Sequence, residues 1–122
     1  MLLNIVMVGL GGALGAVSRF FTNEIFSMYF PDSSWIATLT VNVIGCFFIG
    51  IAMAYISDFK SNAYYLLIVG FLGSFTTMSA FSQQTIELLY NGKELNALMY
   101  VVASIITCLV GTFLAFSLFK TS

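Results

Sequence analysis

The side chains able to do chemistry in this chain are uncharged, and they lie inside otherwise apolar runs. Thr38, Asn42 and Cys46 follow an i, i+4, i+8 spacing and so share one helix face; Tyr100, Ser104, Thr107 and Gly111 form a similar stripe. A third group, Thr76, Thr77, Ser79, Ser82, Gln83 and Gln84, starts within the stretch VGFLGSFTTMSAF, from Val69 to Phe81. In hydrocarbon such groups either hydrogen-bond between helices, for about 0.6–2 kcal/mol per contact, or line a path for something polar. Packing suits an isolated Ser or Thr. It does not suit Asn42, whose carboxamide brings two N–H donors into the middle of an apolar run and is costly to bury unpaired.

Gly70, Gly73 and the Thr76-Thr77 pair predict an unwound turn in the third apolar run. Irregular backbone at membrane depth survives only where protein or a polar cavity satisfies it. Carbonyl oxygens freed by such a turn can replace a cation's hydration shell, and two chains meeting at the break would supply about four of them.

Other chemistries find no residues. The chain has no histidine, and no nucleotide motif, zinc spacing or nucleophile–base pair is visible, so nothing points to an enzyme or to a nucleic-acid partner. Cys46 and Cys108 fall mid-run and read as small packing residues rather than a disulfide or a metal site. Apart from Glu87, no carboxylate lies deep in an apolar run. That counts against a small multidrug-type exporter, which needs an embedded carboxylate in its first helix.

The elements that must position these groups follow from composition. Of 122 residues, 60% are hydrophobic and 7% charged, with a mean hydropathy of +1.01. A soluble fold this small cannot bury so much apolar surface, so the bilayer is the solvent. Charges divide the chain into four runs, about residues 2–21, 34–56, 63–90 and 95–119, each near the ~20 residues that cross a ~30 Å core. The reading is an all-α membrane protein: one domain, residues 1–122, of four transmembrane helices with a break in the third. Short loops make neighbouring helices antiparallel. The first run has the apolar core of a signal peptide but no positive segment before it.

Lys60 and Lys120 fall on the side of the termini, Arg19 and Lys93 on the other, so the positive-inside rule gives no preferred orientation. The balance suits dual topology, with copies inserted both ways and paired as an antiparallel dimer. Gly11 and Gly15 form a small-xxx-small pair that lets another backbone approach. Arg19 either snorkels to the interface or sits at the mouth of a polar vestibule, attracting anions.

Three segments, GGALGAVSRF, ATLTVNVIGCFFIG and GFLGSFTTMSAFS, occur in this order. They resemble the signature segments of the Fluc (CrcB) family of fluoride channels over nearly the whole chain. The resemblance implies a dual-topology antiparallel homodimer in the plasma or inner membrane, with two fluoride pores and a central structural sodium ion. It places the sodium on the carbonyls of Gly73 and Thr76. It assigns the fluoride pathway to Thr38, Asn42, Met78, Phe81, Ser82, Gln84, Tyr100 and Ser104, and the vestibule to Arg19. Met78 stands where the family has the first of two phenylalanines, Gln84 where it commonly has glutamate, and Ala37 where it commonly has glycine.

Beside that assignment the residues make chemical sense. Fluoride is strongly hydrated and needs replacement donors, which Asn42, Thr38, Ser104 and Tyr100 carry. A phenylalanine ring can offer its positive edge, whereas Met78 has no such quadrupole. The expected function is a passive channel exporting cytoplasmic fluoride. The alternative is a non-conducting or complementary subunit whose partner supplies the missing ring. On this reading Asn42→Ala abolishes transport and leaves the dimer intact.

Overall fold

A computed structural model of the chain describes residues 1–120, all helix and connecting turn with no strand among the described residues. The elements are α1 (Leu2–Tyr29), α2 (Ser34–Tyr55), a π-helical segment (Tyr64–Leu72), α3 (Gly73–Phe75), α4 (Met78–Tyr90) and α5 (Glu94–Phe119). The π-helical segment, α3 and α4 together make the third span. Four helical stretches are thus long and apolar enough to cross a membrane. This is a multi-pass all-α membrane protein.

The first helix does not stop at Phe21, where the sequence placed its end, but runs on to Tyr29. Thr22 and Ser27 do not break it, because each hydroxyl donates back to a carbonyl of the same helix, Ser18 and Glu24 respectively. The turn between α2 and the third span is organised by Asp58, whose carboxylate accepts the Lys60 N–H at 2.9 Å. Between α4 and α5 the chain reverses at Asn91-Gly92-Lys93. Gly92 has φ +74, and the Gly92 and Lys93 N–H groups return to Leu89 and Leu88. That is a Schellman motif, which needs a residue tolerant of the left-handed region.

Two helix pairs carry the packing. α2 lies along α5, and α1 lies along the π-helical segment and α3. The second contact is made backbone to backbone. A Cβ on Gly11 would strike the Leu66 carbonyl oxygen, and one on Gly15 the Phe71 carbonyl oxygen; a Cβ on Gly70 would come within 2.8 Å of the Val8 carbonyl. The small-residue pair read from the sequence is therefore a packing device. Without a hydrophobic driving force between helices in lipid, such close approach supplies the van der Waals contact that holds them.

Very little of the molecule is core. Ala37, Val41, Leu72, Ala97, Tyr100 and Ala115 are its buried hydrophobic side chains among the described residues, while large apolar residues line the outside. That outward face is what a lipid-embedded chain requires.

The glycine contacts give a direct check. Gly15→Ala is expected to destabilise the protein by about 1–3 kcal/mol through overpacking. Gly9→Ala, with nothing within 4 Å of the added carbon, should be neutral or mildly stabilising. Thermal unfolding in detergent, followed by size-exclusion chromatography, reads both.

Candidate functional site

The third span leaves the helical conformation at two residues. Thr76 has φ −80, ψ 155 and Thr77 has φ −145, ψ 119, both extended. The break thus falls on the threonine pair alone, while Gly73 stays helical at φ −61, ψ −30. β-Branched side chains favour the extended region, and two in succession put the interruption here rather than at the glycines.

Asn42 holds the break closed. Its Oδ1 accepts the Thr77 N–H at 2.7 Å, and its Nδ2 donates to the Thr77 carbonyl at 3.1 Å. A single carboxamide thereby satisfies both backbone groups of one unwound residue and keeps one N–H to spare. On the other side, Arg19 Nε donates to the Ser74 carbonyl at 2.9 Å. Arg19 is therefore neither a freely snorkelling side chain nor a loose charge; it is tied to Ser74, two residues before the break. The new helix α4 starts with the Thr77 hydroxyl accepting the Ala80 N–H at 3.2 Å, an N-cap.

These bonds leave two carbonyls without their ordinary donors. The Thr77 N–H, which would close the turn onto Gly73, goes to Asn42, and the Ala80 N–H, which would close onto Thr76, goes to the Thr77 hydroxyl. The oxygens of Gly73 and Thr76 are among those the break releases; that of Ser74 is taken by Arg19.

Beside the break lies a cavity of about 350 Å³ whose wall includes Asn42, Cys46, Met78, Phe81, Ser104 and Cys108, together with Thr76 and Thr77. Four predicted pathway residues thus share one space: Asn42, Met78, Phe81 and Ser104. Ser104 Oγ is buried and makes no hydrogen bond, one of two such side-chain atoms among the described residues, with Asn23 Oδ1. A buried hydroxyl without a partner costs about 1–3 kcal/mol, so its presence against a cavity marks a place for a ligand or water. No charged residue lines this cavity.

The other predicted residues lie elsewhere. Tyr100 is buried, with its hydroxyl donating to Gln84 Oε1 at 2.9 Å and its ring 5.1 Å from that of Phe81 and 5.9 Å from that of Trp35. It positions Phe81 more directly than it faces the cavity, and its proton is committed. Thr38, 1% exposed, sits one turn before Asn42 outside the cavity wall. Ser82 is exposed and also outside it.

Sequence reasoning missed Gly45. A Cβ there would strike the Thr76 methyl, so the glycine makes room for the break against α2. Its position one turn beyond Asn42 was the available signal. It also missed Thr77 as the residue Asn42 serves, because that pairing spans 35 positions and no local pattern encodes it.

Comparison with known proteins agrees with this architecture. A family profile described as CrcB-like protein, Camphor Resistance (CrcB), matches residues 6–116. The chain is 37% identical over 123 residues to a Campylobacter jejuni protein named fluoride-specific ion channel FluC, covering 98% of this chain and 100% of that one. It is 40% identical over 119 residues to the protein of that name from Campylobacter fetus, covering 95% and 93%. A protein of the same name from Idiomarina loihiensis is 36% identical over 124 residues, covering 100% and 96%.

The geometry of Asn42 revises what its removal should do. Asn42→Ala strands the Thr77 N–H and carbonyl, each at a cost of about 1–3 kcal/mol, so the variant is expected to unfold at lower temperature and not merely to lose transport. Asn42→Asp keeps the acceptor and should fall between. Thermal unfolding in detergent measures the series; an Asn42→Ala protein as stable as the parent would mean the bridge does not hold the break.

Proposed function

The chain belongs to the CrcB family, and from that premise we propose that it is a passive fluoride-selective channel of the cell membrane, letting cytoplasmic fluoride leak out. It performs no covalent chemistry. The observation that carries the reading is the uncharged cavity at the broken span, where the unpartnered Ser104 hydroxyl and the spare Asn42 N–H lie with the Phe81 ring.

A fluoride ion entering that cavity must exchange water for protein donors. Ser104 and Asn42 each have one to give, and Phe81 offers its ring edge, held in place by the buried Tyr100. These are several weak sites rather than one strong one. Conduction requires that balance, because a lysine or arginine in the wall would bind the anion too tightly to release it. Fluoride enters cells from acidic medium as neutral HF and dissociates inside. A membrane negative inside then drives the anion outward with no coupled energy source.

The functional unit in this reading is an antiparallel homodimer of dual topology. The even division of Lys60 and Lys120 against Arg19 and Lys93 supports it, since neither orientation is favoured. So does exposure at the break: Gly73 is exposed and Met78 is 75% exposed, on a face that a second copy would cover. Sodium at the dimer centre, held by the Gly73 and Thr76 carbonyls of both copies, belongs to the same reading. It is supported by the loss of those oxygens' helical donors to Asn42 and Thr77. The ion would contribute fixed positive charge between the copies and lock the two breaks together.

Met78 favours one competing reading, a subunit that needs a partner bearing the missing aromatic ring. Fluoride efflux from liposomes containing the purified chain alone, read with a fluoride electrode after a potassium ionophore is added, separates the two. The expected result is rapid fluoride release with chloride retained. Ser104→Ala and replacement of Phe81 by a small aliphatic residue should each slow release at least about tenfold, the equivalent of ~1.4 kcal/mol in the barrier. No release from a folded dimer, with release gained in Met78→Phe, would establish the partner-dependent reading instead.

A further inference from the structure

The cavity wall contains three sulfurs that the fluoride reading does not use. Cys46 lies one turn beyond Asn42 on α2, and Cys108 one turn beyond Ser104 on α5, and both thiols line the same cavity. Both cysteines are free and half-buried, and both line this one cavity. The register that brings them together is pinned one turn further along α5, where the Thr112 hydroxyl donates to the Cys46 carbonyl at 2.8 Å. Met78 joins the group from the start of α4, its unbranched, adaptable side chain part of the same cavity wall.

We propose that Cys46, Cys108 and Met78 form a binding site for a thiophilic d10 cation, silver(I) or copper(I). Thiol and thioether donors select soft cations, and no group of three or more His, Cys, Asp or Glu side chains among the described residues offers hard ions a competing site. Charge decides the protonation. One thiol gives its proton to water as the cation binds, and the resulting thiolate and cation cancel. The second thiol and the Met78 thioether then complete a neutral three-sulfur site. Neutrality matters because an uncompensated charge at this depth is costly. Cys46 and Cys108 are therefore more than packing residues. The bound cation would occupy the cavity in which Ser104 and Asn42 present their donors, and so would block it.

The test uses the full-length chain in detergent, loaded with one equivalent of silver nitrate in chloride-free buffer and dialysed against a millimolar free monothiol. One protein thiol loses that competition, whereas a chelating pair keeps the metal. The parent is expected to retain about one silver per chain by elemental analysis. Cys46→Ala and Cys108→Ala should each lose it, and Met78→Leu should retain less. Size-exclusion chromatography confirms that each variant is folded. Complete loss of silver from the parent, or equal retention by the alanine variants, would overturn the site. This measurement needs no ion flux, so its failure is distinct from failure of the channel reading. Blocking rests on that reading: silver should stop fluoride efflux from the parent, and undiminished efflux with silver retained would overturn it.

Discussion

Hydrocarbon offers no solvent to a stray N–H or carbonyl, so a membrane helix can be interrupted only where another part of the protein takes over the broken hydrogen bonds. Here one carboxamide does so. Asn42 accepts from and donates to the same residue, Thr77, and in that arrangement behaves like a short piece of β-ladder inserted between helices. Gly45 clears the space for Thr76 beside it, Arg19 engages the carbonyl of Ser74 before the break, and the Thr77 hydroxyl restarts the helix after it. Remove the bridge, and the cavity loses the wall from which both its donor and its freed carbonyls derive.

The bridge also explains how an uncharged cavity can manage an anion. A side chain fully occupied by structure has nothing for a ligand, while one with no structural bond has no fixed position. Asn42 is half committed: two of its four hydrogen-bonding sites hold the backbone, and that rigidity fixes its remaining N–H in place. Ser104 is its complement, a buried hydroxyl with no obligation to its own chain. Tyr100 serves neither role. Its hydroxyl belongs to Gln84, and its ring braces Phe81.

Much of this was legible beforehand because membranes impose strong local rules. Four apolar runs, the small-residue pair at Gly11 and Gly15 and the oddity of Asn42 all show in residue type and spacing. The break was legible in place but not in detail, since glycine and β-branched residues are both plausible interruptions and only packing decides between them. Gly70 turned out to be occupied by the backbone of α1, and the threonines alone unwind. Pairings such as Asn42 with Thr77, Arg19 with Ser74 or Tyr100 with Gln84 join separate elements and leave no periodic trace. The overrun of α1 to Tyr29 was hidden because polar residues end a hydrophobic run without ending a helix.

The π-helical winding of Tyr64–Leu72 has its own consequence. A run closed by i→i+5 bonds advances through fewer degrees per residue than the α-helix that follows, and so it sets the azimuth at which Thr76 and Thr77 emerge. In an α-helix each residue contributes a rotation of about 100°. One residue more or fewer in this stretch would swing the threonine pair off the axis facing Asn42, although every side chain involved were still present. Exchanging one lipid-facing apolar residue for another would not. The segment is thus permissive in composition and strict in length, a spacer whose information is carried by counting.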